Sequence, residues 1–323
     1  MLAGALVAAV LAVVPTPFYL IAPGSAVDLR TRIAIEGHAP PRQAFFLTDV
    51  IVRKASVLLL ASALVPGVRV VRDDQIVPTG VAPDDYDARL VDAMRESQDV
   101  AAVVAERAAG YRVASPPAHL DIVSVLSISK AGSRLRSGDE LLALDGRAVR
   151  ALGDVAGSVG AHRAGEMVSV DLVRGGRRVR ARVPAIATPK GARLGIVVEA
   201  RYARPDLPVP VRFRMSDVSG SSGGLMFALD IYRTLRGGSA TAAGIAGTGT
   251  LAYDGRVGPI EGTAQKLIAA KRAGARVFLV PRENYRDVAE ERDVRVVPVA
   301  TFGQALRSLA TIDVTSASTP RAL

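Results

Sequence analysis

Between Ser219 and Leu229 the chain reads SGSSGGLMFAL, three serines and three glycines set directly against an apolar run. No other stretch constrains the fold as much. Leu225, Met226, Leu229 and Tyr232 recur at three- and four-residue spacing, so the turn opens an amphipathic helix and forms one end of a packed element. A Ser/Gly linker would not run straight into such a helix. A phosphate cradle on helix N-terminal amides is the next candidate. It fails because G-x-x-x-x-G-K-[ST] occurs nowhere in the chain, no lysine stands behind these glycines, and G-x-G-x-x-G after a first strand is missing.

A presented nucleophile is the third reading. A serine at the mouth of a helix sits where backbone N–H groups point outward and the helix dipole favours negative charge. The same amides can stabilise the oxyanion of a tetrahedral intermediate by roughly 3–4 kcal/mol per donor. Flanking glycines such as Gly223 let a substrate backbone approach closely. Such a serine needs a base. His38, His119 and His162 all precede this region, and none lies in a recognisable triad segment. The absence of cysteine removes a thiol nucleophile, disulfides and thiolate metal sites. With so few histidines a zinc site has no support, and no cofactor is expected.

Lysine can replace histidine as base. It must lose its proton near neutrality, from a reference pKa of about 10.4 to about 7–8. Lys190 and Lys271 sit in arginine-bearing, solvent-like stretches. Lys266 opens the helix QKLIAAKRAG beside Leu267 and Ile268, where the dipole disfavours its charge, and is the best candidate.

At 323 residues the chain has room for two or three domains, and its 49% apolar content can build their cores. Residues 1–22, MLAGALVAAVLAVVPTPFYLIA, carry no charge, and none appears before Asp28. A helix over Leu2–Ala22 would span about 31 Å, enough for a bilayer core, with Pro15 and Pro17 kinking or shortening it. The expectation is a retained, single-pass transmembrane anchor in the cell membrane with the rest of the chain outside the cytoplasm. A cleaved signal ending near Ser25–Ala26 is the competing reading. Residues 23–112 read as a linker and packing region with a helix over 84–109, in which Leu90, Met94, Val100, Val103 and Val104 lie near helical spacing.

From about Val113 the pattern turns to strands. LRSGDELLALDG, Leu135–Gly146, resembles a PDZ domain, and the likeness is assigned residues 113–187. It implies binding of extended peptides by strand addition. Residues 188–312 alternate strands and helices as in an α/β domain, and residues 313–323 read as a flexible tail.

GSSGG followed by a helix, then GTGTLAYDGRVGPIEGTAQKLIAAKRAGARVFLVPREN, looks like the proteolytic domain of the Lon protease family. By position the resemblance makes Ser222 the nucleophile, Lys266, 44 residues later, its base, and Thr248 the group that orients the lysine amine. Ser221 and Gly223 fall in the turn and oxyanion region. Departures are Ser221 for the family's proline, Ser219 for an aspartate, Thr250 for a glutamate and Glu261 for a glycine. Two adjacent hydroxyls leave open which one reacts. The whole chain resembles membrane-anchored bacterial proteins that join a PDZ domain to a Lon-like domain without an ATPase.

The expected fold class is therefore α+β and multi-domain: transmembrane helix, mixed α/β region, PDZ-like β-barrel domain and Lon-type proteolytic α/β domain. The resemblance implies an ATP-independent serine endopeptidase acting on unfolded or exposed protein segments, with a PDZ domain selecting substrate. It also implies a homo-oligomeric ring. A membrane-tethered PDZ adaptor with an inactive Lon-like domain is the rival reading. The net charge of +10 suits an anionic membrane surface. Nucleic acid is not an expected partner, because the arginines are scattered and aromatic residues make up only 4% of the chain.

Overall fold

Phe45–Leu47, Ile245–Ala246 and Val277–Val280 are apolar at consecutive positions, the mark of strands covered on both faces. In the computed structural model, which describes residues 12, 14–77, 83–189, 191–215, 218–237 and 244–317, they form the middle of a six-stranded sheet. The first part of the chain supplies β1 (Pro15–Asp28), β2 (Ile33–Ile35), β3 (Phe45–Ser56), β4 (Arg69–Arg72) and helix α1 (Pro83–Ala109). A separate unit follows, Ala114–Asp206. It holds β5 (Ala118–Val125), β6 (Glu140–Leu144), β7 (Arg147–Ala148), α2 (Leu152–Gly160), β8 (Met167–Arg174), β9 (Arg177–Pro184), β10 (Ile186–Thr188), β11 (Gly191–Arg193) and β12 (Ile196–Tyr202). The chain then returns to the first unit with β13 (Val211–Phe213), α3 (Gly224–Arg236), β14 (Ile245–Gly247), β15 (Thr250–Leu251), β16 (Val257–Gly258), α4 (Thr263–Arg272), β17 (Val277–Pro281), β18 (Arg295–Val299) and α5 (Phe302–Ala317).

In the first unit the sheet order is β18-β17-β14-β3-β1-β4. β14 runs parallel to β3 and β17, and β17 to β18, whereas β1 is antiparallel to both β3 and β4. Side chains alternate across the sheet. Phe45, Leu47, Ile245, Val277 and Leu279 join one core with residues of α1, α3 and α5. Phe46, Ala246, Phe278 and Val280 face the other way and pack with Leu267 and Ala270 of α4. The sheet thus lies between three helices and one, and α3 and α4 cover opposite faces.

The N-terminal reading needs correction. Pro15–Ala22, expected as the second half of an anchor helix, lie in β1, where Leu20 and Ile21 are buried and pair with Arg53 and Val52 of β3. Residues 1–11 and 13 lie outside the described residues. Among the described residues, no helix is long and apolar enough to cross a membrane. Residues 23–112 also differ from a separate packing region. β3 hydrogen-bonds to β14 some two hundred residues away, with Thr48 Oγ1 donating to the Gly247 carbonyl at 3.0 Å, so the first hundred residues complete the sheet. Pairing at that separation leaves no local trace in sequence.

The second unit closes around its own core of Leu120, Ile122, Leu141, Leu144, Val170 and Leu172, with sheet order β12-β5-β6-β8-β9. Two hairpin turns carry left-handed backbone at both central positions, Asp145–Gly146 and Gly175–Gly176, as two-residue turns between twisted strands require. Asp139, 1% exposed, is held by Arg174 in a bidentate pair, which ties the start of β6 to the end of β8. The boundary differs from the expected 187. LGIVVEA, read as the first strand of the next domain, contributes Ile196–Ala200 to β12, which pairs along its whole length with β5. Val314–Ala317, expected in the flexible tail, continue α5, and residues 318–323 lie outside the described residues.

One buried acid on α3 is costly. Asp230 is 1% exposed, and its Oδ1 has no hydrogen-bond partner among the described residues. Burial, with the Asp28 charge adding and Arg30 opposing, pushes its carboxyl up to about 7. A raised carboxyl pKa means that the folded state holds a proton the unfolded state has lost between about pH 4 and pH 7, so stability falls as pH rises through that window. Asp230→Asn keeps the neutral shape. In denaturant titrations it is expected to match the parent below about pH 4 and to exceed it by up to ~4 kcal/mol above about pH 7.

Candidate active site

The SGSSGG turn stands at the N-terminus of α3, where Leu225, Phe227, Ala228 and Leu229 are wholly buried and fix the helix against the sheet. The turn itself is held by backbone. The Gly220 amide donates to the Leu90 carbonyl at 2.9 Å, the Gly249 amide to the Ser222 carbonyl at 2.8 Å, and the Leu225 amide to the Gly249 carbonyl at 3.1 Å. Gly223 has no room for a side chain, since a Cβ there would come within 2.8 Å of the Phe227 ring and 3.0 Å of Leu47.

Lys266 enters from the other side of the sheet. It is the fourth residue of α4, whose N-cap Gly262 is left-handed at φ 69°, and its amide donates to the Gly262 carbonyl at 3.0 Å. The side chain is 3% exposed. Its Nζ reaches Ser222 Oγ at 2.8 Å and Thr248 Oγ1 at 3.4 Å. Burial pulls the amine down to about 8, against the opposing pull of the Asp49 and Glu261 carboxylates. Thr248, fully buried between β14 and β15, donates from Oγ1 to the Ser222 carbonyl at 3.2 Å.

The sequence candidates thus divide clearly. Ser222, Thr248 and Lys266 meet around one amine. Ser221 is exposed, and the hydroxyl that meets Lys266 belongs to its half-buried neighbour Ser222. Gly223 is the N-cap of α3. The histidines are engaged elsewhere: His38 Nδ1 with the Glu36 carbonyl at 2.9 Å, His162 Nε2 with Asp145 at 3.1 Å, and His119 with Glu140. Among the described residues, no group of three acidic or histidine side chains is arranged for a metal.

Sequence reasoning missed Ser97. Its Oγ donates to the Ser221 carbonyl at 3.0 Å and ties α1 to the turn. A signal existed, because Ser97 interrupts the buried stripe Met94, Ala101 and Val104 of α1 with a hydroxyl. Beside the turn, Val91, Met94, Arg95, Gln98, Met215, Val218 and Ser219 line an open groove of about 370 Å³.

Comparison with known proteins decides the kind of domain. Residues 211–308 match the Lon protease (S16) C-terminal proteolytic domain. The matched segment of the Lon-type domain holds Ser222, Thr248 and Lys266. Residues 94–184 match the PDZ domain, although the first of them belong to α1, which packs in the Lon-type core. The chain is 32% identical over 111 residues to a Lon protease of Azospirillum brasilense, covering 33% of this chain and 14% of that protein. It is 32% identical over 127 residues to one of Xanthomonas oryzae pv. oryzae, covering 38% and 15%. It therefore spans about one seventh of the length of these curated relatives. Among solved structures, it is similar to the PDZ domain of the SdrC-like protein Lmo2051 from Listeria monocytogenes, at 21% identity and a TM-score of 0.24, covering 27% of this chain and 93% of that one.

Proposed function

We propose that the protein is an ATP-independent serine endopeptidase in which Ser222 and Lys266 form the catalytic dyad. The observation that carries this reading is the 2.8 Å approach of a buried, easily deprotonated amine to a hydroxyl at the mouth of α3. A neutral Lys266 accepts the Oγ proton as Ser222 Oγ bonds to the peptide carbonyl carbon. The amides of Ser222 and Gly223, which make no hydrogen bond among the described residues, stand ready for the oxyanion. The ammonium then returns its proton to the leaving amine, giving an ester on Ser222. Water attacks that ester with Lys266 again as base, and the enzyme is regenerated.

Substrates on this reading are unfolded or exposed segments that need no ATP-driven unfolding. The PDZ-type unit selects them by adding an extended segment to a sheet edge such as β12. Thr248 orients the amine. Thr248→Val is expected to lower kcat/KM about ten- to a hundredfold, the loss of a hydrogen bond to a group that becomes charged, while Thr248→Ser retains most activity. The test of the function is cleavage of a permanently unfolded protein without ATP by the full chain, beside Ser222→Ala and Lys266→Ala. Fragments from the parent alone support the proposal. Equal turnover by all three removes the dyad, and peptide capture without turnover by any of them favours an adaptor.

A further inference from the structure

The connection from β3 to β4, which passes the start of β1 between them, ends in a surface that water does not suit. Val57–Val65, VLLLASALV, has six large aliphatic side chains among nine residues, and none of the nine is buried. Leu64 is 88% exposed, Val65 53% and Leu58 47%. The segment carries no charge from Ala55 to Val68. Contiguous apolar surface of this kind marks a docking site.

Three observations identify the occupant. The first is continuity. The Val57 amide donates to the Val14 carbonyl at 3.2 Å, and Thr16 Oγ1 to the Ala55 carbonyl at 2.7 Å. The uncharged run Met1–Val14, mostly outside the described residues, therefore ends at this same tip. The second is charge. Arg53 and Lys54 on β3 and Arg69 and Arg72 on β4 are exposed just behind the apolar residues. Lys54 pairs with Asp73 and Arg72 with Asp74, while Arg53 and Arg69 have no acidic partner among the described residues. The third is backbone satisfaction. Leu59–Leu64 form a 3-10 helix, and the amides of Leu59, Ala61, Val65 and Val68 are bonded within the tip, which lowers the cost of taking them out of water. A protein partner fits less well, because energetically dominant contacts at protein interfaces favour Trp, Tyr and Arg over Leu and Val.

We propose that the Val57–Val65 tip inserts into the interface of an anionic lipid bilayer, with Arg53 and Arg69 at the headgroups. The inference is independent of the peptidase reading. It bears on it, because Gln265 Nε2 donates to the Gly67 carbonyl at 3.0 Å and so ties the base of the tip to the helix that carries Lys266.

The cysteine-free chain allows a clean test. Leu64→Cys in the full chain is labelled with an environment-sensitive fluorophore, with exposed Glu290→Cys as the control. Added phosphatidylcholine–phosphatidylglycerol vesicles should blue-shift the label at position 64 and expose it to quenching by spin-labelled lipid, leaving position 290 unchanged. The shift should weaken in pure phosphatidylcholine and after Arg53→Gln with Arg69→Gln. An unchanged label at position 64 overturns the proposal. So does a blue shift that grows with protein concentration in the absence of lipid, which assigns the tip to a second copy. A label already blue-shifted in dilute protein overturns it too, because the chain then covers its own tip.

Discussion

Ser222→Ala is expected to lower the rate of peptide-bond cleavage about 10⁴- to 10⁶-fold with little change in KM, the scale seen when a nucleophile that acts as a unit with its base is removed. Lys266→Met should cost about as much, because the hydroxyl then has no acceptor for its proton. Lys266→Arg should fail equally despite its similar reach, since a guanidinium does not deprotonate in proteins. Ser221→Ala, one residue away and exposed, should leave most activity intact. Single-turnover kinetics on an unfolded substrate, with circular dichroism to show that each variant folds, check all four. Loss with Ser221→Ala and survival with Ser222→Ala would reverse the assignment of the nucleophile.

The second large effect is on pH. With the Lys266 amine near 8 and only its neutral form able to accept a proton, activity should climb about tenfold per pH unit below that value and level off above it. Glu261 stands where the related family has glycine, and its carboxylate opposes deprotonation. Glu261→Gln should therefore move the rising limb to lower pH. The same shift acts on stability with a definite sign. A lysine pKa lowered on folding means that the unfolded chain binds an extra proton between about pH 8 and 10.5, so stability rises with pH across that window and the full penalty applies below it. Lys266→Met is expected to raise stability at neutral pH by about 3 kcal/mol while abolishing activity. A variant that lost both would be misfolded and would say nothing about the base.

Much of the site could be read before the fold was known, because its parts are local. The spacing of Leu225, Leu229 and Tyr232 announces a helix directly behind SGSSGG, and Lys266 sits beside Leu267 and Ile268 in a segment bound to be buried. That the two elements cover opposite faces of one sheet, and that the amine still reaches the hydroxyl, depends on β14 lying between β3 and β17. Such pairing is not written in either segment.

Pro15–Ala22 misled for a physical reason. An uncharged apolar stretch satisfies the requirements of a lipid-facing helix and of a strand beside two neighbours alike. Pro15, Pro17 and Pro23 favour the strand, since proline removes a helical hydrogen bond but is accepted at strand starts and irregularities. The β1–β3 register shifts between Pro15 and Tyr19 and between Pro23 and Ala26. The division of the first unit by the second was hidden for a related reason. α1 reads as an ordinary amphipathic helix, and only the buried partners it shares with α3 assign it to the core of the first unit.

The most direct test of a neutral Lys266 acting on Ser222 is the rate at which a fluorophosphonate modifies the full chain as pH is varied, with the modified residue located by mass spectrometry. Label is expected on Ser222 alone, at a rate that rises through about pH 8, with near-complete loss of labelling in Lys266→Met. Label on Ser221, or equal rates at Ser222 with and without the lysine amine, would contradict it.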